Sequence, residues 1–318
     1  MRPGIDVECR EVGLRDGLQI QTTFFATEGK INWLTAEVGA GMPEIEACSF
    51  VPPKLLPQFA DAKEVVAAAL KTEGSIISAL APNLRGAQDA FANGVHKLNY
   101  VTSVSESHNM ANVRQTVDQS IEGFKQIVHA RNIIPGAENI TLATGLSTAL
   151  GCTIEGQVSE DAVMRLAERF IDAGSTELMI ADTVGYANPQ QVKSMFKKII
   201  CEFGSTVAIA GHFHDTRGLG LANVFAALEA GCVHFDASLA GLGGCPFAPE
   251  ATGNIVMEDL VFLLEGAGLK TVVDLDKLVA IRETIEKHLP GEALHGMYAK
   301  AGPPKGFVPA SQIAAAAE

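Results

Sequence analysis

Residues 177–214, ELMIADTVGYANPQQVKSMFKKIICEFGSTVAIAGHFH, decide the fold. The run opens on an apolar stretch at 177–184 and closes on a second one at 207–214. Between them Asn188 offers a capping side chain, Pro189 suits the first position of a helix, and an amphipathic pattern runs to 203. Strand, helix and strand in this order make one βαβ unit.

Working outward, the unit repeats. Short β-branched or apolar runs recur at 5–12, 43–50, 75–82, 97–104, 140–147, 177–184, 207–214 and 234–241. Their starts are spaced by about 33 residues on average, the length of one such unit. Amphipathic helices are expected at 27–40, 61–71, 109–131, 159–173, 189–203, 219–230 and 254–265, several stopped by a glycine. Eight evenly spaced β/α units with no long internal linker predict an α/β fold, a closed (β/α)8 TIM barrel; a doubly wound open sheet is the alternative. The barrel is expected over 1–270. An extra C-terminal helical segment follows over 271–318: a helix at 274–289, then a flexible tail, packed on the barrel or trailing from it.

Composition narrows the function. The chain has 318 residues, 47% hydrophobic and 19% charged, which is ample for a core and carries no disorder signature. With 24 basic against 37 acidic side chains the formal charge is −13, which argues against a nucleic-acid partner. No run approaches the roughly 18 apolar residues of a membrane span, and residues 1–6 lack the apolar core of a secretory leader. Cysteines at 9, 48, 152, 201, 232 and 245 form no Cys-x-x-Cys pair, so free thiols and a cytoplasmic location are expected.

In a TIM barrel, chemistry gathers at the C-terminal ends of the strands. There the sequence places Arg15-Asp16-Gly17 after strand 1, Asp182 at the end of strand 6, His212-Phe213-His214 at the end of strand 7, and a glycine-rich loop around Cys245 after strand 8. A period of two puts His212 and His214 on one face. Two imidazoles with Asp16 can hold an octahedral divalent metal and leave water positions open; the plainer reading is a hydrogen-bonded polar pair. Arg15 either stabilises an oxyanion or enolate, or pairs with Asp16 or Glu46. The Cys245 loop is expected to be accessible, with a thiol able to serve as acid or base. Cys9, Cys48, Cys201 and Cys232 read as inert small hydrophobes. Cys152 and His108 read as structural, with a site role the lesser alternative, and His96, His129, His234 and His288 as structural or solvated.

These residues carry a resemblance. The stretches 11–19 (EVGLRDGLQ), 49–51 (SFV), 53–54 (PK), 82–84 (PNL), 211–216 (GHFHDT) and 240–248 (AGLGGCPFA), followed by Gly253-Asn254, resemble the 3-hydroxy-3-methylglutaryl-CoA lyase family over about residues 5–270. The Gly-Gly-Cys-Pro loop is the specific part; Arg-Asp-Gly is shared with the wider superfamily of metal-dependent Claisen-type enzymes. The resemblance implies a Mg²⁺ or Mn²⁺ held by Asp16, His212, His214 and Asn254, and cleavage of an acyl-CoA substrate, 3-hydroxy-3-methylglutaryl-CoA, to acetyl-CoA and acetoacetate. It implies that Arg15 stabilises the enolate, that Cys245 carries a proton at the acetyl carbon, that Asp182 and Glu46 support or relay protons, and that Gln19 positions substrate. A lyase for citramalyl-CoA or a longer branched acyl-CoA, and a related condensing synthase, are the alternatives. A homo-oligomer is left open. The chain departs from the family pattern at Leu14 (Pro), at Ile20-Gln21 (Asn-Glu), at Gly145 (an aromatic) and at Arg217 (often Tyr). These departures spare the metal ligands, and several are expected to line the acyl end of the pocket.

Overall fold

The computed structural model describes residues 3–243 and 253–313. Eight strands run β1 (Glu8–Glu11), β2 (Glu44–Ser49), β3 (Ile76–Leu80), β4 (Lys97–Ser103), β5 (Thr141–Ser147), β6 (Glu177–Asp182), β7 (Ala208–Phe213) and β8 (His234–Ala237). Each pairs in parallel with the next, and β8 pairs with β1, so the sheet closes into a barrel. The open-sheet alternative is excluded by that last pairing, which runs from Glu8 opposite His234 to Glu11 opposite Ala237.

Outside the strands lie α1 (Thr27–Gly39), α2 (Ala62–Ala69), α3 (Leu84–Ala92), α4 (Glu106–Val113), α5 (Val117–Ile133), α6 (Glu160–Asp172), α7 (Pro189–Phe203), α8 (Gly220–Glu229), α9 (Met257–Gly266) and α10 (Leu275–His288). The apolar core fills the space between sheet and helices, with Trp33, Phe124, Phe170, Phe196 and Phe235 fully buried. Asn188 caps α7 through Gln191 N and Ser159 caps α6 through Ala162 N, as their positions in the sequence suggest.

Three expectations change. The helix expected over 109–131 is two helices, because Arg114 takes a left-handed conformation (φ 57°) and Thr116 with Gln119 forms a capping box that starts α5. The helix expected from 254 begins at Met257, because Asn254 bridges to His214 and Ile255 N donates to Phe213 O. An unexpected helix, α3, follows Asn83, whose side chain accepts from Gly86 N at 3.0 Å. Of the cysteines read as inert small hydrophobes, Cys9, Cys48 and Cys232 are buried and Cys201 is exposed. It lies off the α7 stripe of Val192, Met195, Phe196 and Ile199 that faces the barrel.

The inside of the barrel is unusually charged. Arg10, Glu44, Lys97, Glu177 and Asp236 project from different strands and pair there, while His234 meets Glu8 at 3.2 Å near the N-terminal end. Each charge has an opposite partner, which is what burial demands.

Beyond the barrel, α10 lies along α1 with Leu278, Ile281 and Ile285 buried. The chain then returns to the rim, where His295 N donates to Ala240 O at 2.9 Å. Among the described residues no helix is long and apolar enough to cross a membrane.

Candidate active site

Asp16 sits on a single π-helical turn, Gly13–Gly17, that breaks away from β1. A Cβ on Gly13 would lie 2.5 Å from Glu11 Oε1 and 2.8 Å from the Trp33 ring, so only glycine fits. Glu11 fixes the turn by accepting from Gly13 N at 2.5 Å and from Leu239 N at 3.0 Å, which ties the end of β1 to the turn after β8.

The two imidazoles converge: His212 Nε2 and His214 Nε2 are 3.1 Å apart. Asp16 Oδ2 lies 3.6 Å from His214 Nε2 and 3.9 Å from His212 Nε2. All three side chains are buried, and one ligand atom from each falls within 4.8 Å of the others. Among the described residues this is the one cluster of His, Cys, Asp and Glu with metal-holding geometry.

Asn254 completes the group. Its Nδ2 donates to Asp16 Oδ2 at 2.8 Å and to Leu242 O at 3.2 Å, while its buried Oδ1 has no hydrogen-bond partner among the described residues. A buried acceptor without a donor is costly, and a cation at this position would satisfy it. Two imidazole nitrogens, a carboxylate and an amide oxygen fit a divalent cation. Burial acts to raise the Asp16 pKa, but Arg15 and both imidazoles outweigh it and hold the carboxylate ionised far below its usual range. Burial holds the His214 pKa below its usual value, which favours the neutral ring a metal needs.

Around this centre Arg15 pairs with both Glu46 and Asp16. Its Nε donates to Glu46 Oε2 at 2.5 Å and its Nη1 to Asp16 Oδ1 at 2.6 Å. Glu46 is itself held by Asn99 Nδ2 at 2.8 Å, and Gln19 Nε2 donates to Asp16 Oδ1 at 2.6 Å. Asp182 stands apart from this network. Its carboxylate accepts from Tyr186 N at 2.9 Å and Ala187 N at 3.2 Å, and burial pushes its pKa up to about 6. Cys245 lies outside the described residues.

Cys152 Sγ accepts from Ile154 N at 3.3 Å, and His108 Nδ1 meets Ser103 Oγ at 2.7 Å, so both serve their local turns. At Gly145 a Cβ would meet Met179 Cε at 3.0 Å and Val101 Cγ2 at 3.2 Å; side chains from the neighbouring strands already occupy that space. Arg217 stacks on Tyr186 at 4.5 Å and donates to Val184 O and Gly185 O, so it braces the loop after β6.

The sequence reading passed over Asp236, whose Oδ2 lies 3.1 Å from His212 Nδ1, and Glu11. The signal for Asp236 was the alternation His234-x-Asp236-x-Ser238, the same period of two that identified the histidine pair.

Comparison with known proteins bears on this site. The HMGL-like family model matches residues 6–285. Hydroxymethylglutaryl-CoA lyase YngG of Bacillus subtilis is 40% identical over 283 residues, covering 89% of this chain and 93% of that protein. An HMG-CoA lyase structure from Acinetobacter baumannii, in complex with coenzyme A and 3-methylmalate, superposes with a TM-score of 0.87 at 40% identity, over 97% of this chain and 99% of that one. The hydroxymethylglutaryl-CoA lyase of Pseudomonas aeruginosa gives 0.87 at 34% identity, over 94% and 98%.

Proposed function

The chain belongs to the HMGL-like family, and we propose that it is a carbon–carbon lyase that splits 3-hydroxy-3-methylglutaryl-CoA into acetyl-CoA and acetoacetate. The observation that carries the reading is the convergence of Asp16, His212 and His214 beside Arg15 on the barrel rim. Asp16, His212, His214 and Asn254 would hold the cation, Mg²⁺ or Mn²⁺. The cation supplies Lewis acidity toward the substrate oxygens.

The chemistry asked of the side chains is a retro-Claisen cleavage. A base takes the proton of the tertiary hydroxyl. The C2–C3 electron pair passes to the thioester, the C3 oxygen becomes the ketone of acetoacetate, and an acetyl-CoA enolate remains. Asp182, whose pKa burial raises to about 6, and Glu46 serve as the proton relay. Arg15 is fixed by Glu46 and Asp16, so its guanidinium can meet the enolate oxygen without reorganising. Cys245 returns a proton to the acetyl carbon. Gln19 acts through Asp16 and contributes to substrate positioning. Acyl-CoA is the partner of this site, and the scattered free cysteines suit a cytoplasmic location.

The test is product analysis. Incubation with 3-hydroxy-3-methylglutaryl-CoA and Mg²⁺ should yield acetyl-CoA and acetoacetate in equal amounts. A higher kcat/KM for citramalyl-CoA measured in parallel would overturn the substrate, and the absence of cleavage on both would overturn the reaction.

A further inference from the structure

The histidine pair is supported unequally. His214 Nδ1 is buried and has no hydrogen-bond partner among the described residues, whereas His212 Nδ1 lies 3.1 Å from Asp236 Oδ2. Asp236 in turn is held on its other oxygen: Arg10 reaches Oδ1 with Nε at 2.7 Å and with Nη2 at 2.6 Å. Arg10 Nη1 pairs with Glu177, and Lys97 Nζ pairs with Glu177 at 2.7 Å and with Glu44 at 3.0 Å. A line of alternating charge therefore runs from the middle of the barrel to one imidazole on the rim.

From this geometry we infer that Asp236 and Arg10 are positioning residues for His212, fixing which of its ring nitrogens faces the cation. The inference rests on the cation site described above. A neutral imidazole has one N–H and one lone pair. An ionised carboxylate only accepts, so Asp236 holds the hydrogen on Nδ1 and leaves the lone pair on Nε2, the nitrogen that faces His214 and Asp16. Arg10 occupies Oδ1 with two donors, which leaves Oδ2 to the ring and keeps the carboxylate charged at full burial. Lys97 stabilises Glu177 and does not touch Asp236, so it belongs to the network but not to the positioning device.

That distinction gives the test. Mn²⁺ binding to the metal-stripped full chain is followed by titration calorimetry, with thermal unfolding measured on the same samples. Loss of an outer-shell partner of this kind weakens metal binding by about 10- to 100-fold, so that loss is expected for Asp236→Ala. Asp236→Asn keeps the shape but can present an N–H to Nδ1, so it should weaken Mn²⁺ by at least about tenfold and settles the matter if the alanine variant does not fold. Arg10→Met should weaken it in the same direction, and Arg10→Lys should recover most of the loss. Lys97→Met should unfold at lower temperature yet bind Mn²⁺ like the parent. Parent-like affinity in folded Asp236→Asn overturns the inference. So does an affinity loss in Lys97→Met equal to that in Arg10→Met, which would make the whole network a stability element. Failure of the parent chain itself to bind Mn²⁺ overturns the cation site and the positioning argument with it, whereas a parent that binds beside an unaffected Asp236→Asn overturns the positioning argument alone.

Discussion

Each Asp16 oxygen is shared between neighbours: Oδ1 takes Arg15 and Gln19, and Oδ2 takes Asn254 while facing both imidazoles. The proton delivery proposed for Cys245 has its own test. A positioned acid or base contributes about 10²- to 10⁴-fold, so Cys245→Ser should lower kcat by that range with KM and metal content near parent values. Turnover within about threefold of the parent would remove the thiol from the mechanism. Glu11 and Glu37 support a second expectation. Burial pushes Glu11 up to about 8 from an ordinary 4.5, and burial together with Glu11 pushes Glu37 well above the same value. The folded pair thus keeps a proton that the unfolded chain releases once pH exceeds the ordinary value. Its contribution to stability is full below about pH 4.5 and is lost as pH rises toward about 8. Glu37→Gln keeps the neutral group and should flatten this fall, measured as urea midpoints across that range; an unchanged slope would contradict it. The pairing of His212 with His214 was legible because a period of two is local to one strand. Asp236 and Glu11 were not, because their meaning depends on which strand closes the barrel beside them.

At the scale of elements, the signals that held were those with a stereochemical cause. Asn188 followed by Pro189 starts α7 where it should, since the side chain accepts from Gln191 N and proline needs no N–H at that position. The break between α4 and α5 was missed because Arg114 adopts a left-handed conformation that nothing in its chemistry announces. The restart was readable: Thr116 and Gln119 have capping-box spacing, and both of their reciprocal bonds form, at 3.1 and 2.9 Å. Thr116→Ala should therefore cost about 1 kcal/mol of unfolding free energy in urea. A change near zero would mean that α5 is held by packing alone, through Ile121, Phe124 and Ile127.

For the whole molecule, eight regularly spaced units were enough to imply closure, and the pairing of β8 with β1 bears this out. The charged interior was not anticipated, because a lysine or glutamate in a strand reads as solvent-facing until the barrel turns it inward. The segment after residue 270 is joined to the barrel at several places besides the bond from His295 N to Ala240 O. His288 stacks on Phe25 at a centroid distance of 4.8 Å, and Arg282 donates to Glu258 at 2.5 Å while Glu258 holds Ala240 N at 3.0 Å on the rim. A chain ending at 270 would expose the α1 surface that α10 covers and free the left-handed turn at Ala240. It should lose cooperative unfolding in calorimetry, and a truncated chain that melts like the parent would show the segment to be dispensable. The proposed cleavage depends on a cation held by Asp16, His212 and His214. The most direct measurement is acetyl-CoA release from 3-hydroxy-3-methylglutaryl-CoA by metal-stripped protein titrated with Mn²⁺. No release is expected without metal, and with Mn²⁺ a rise that saturates at one ion per chain. Full release by protein verified to be metal-free would contradict that dependence.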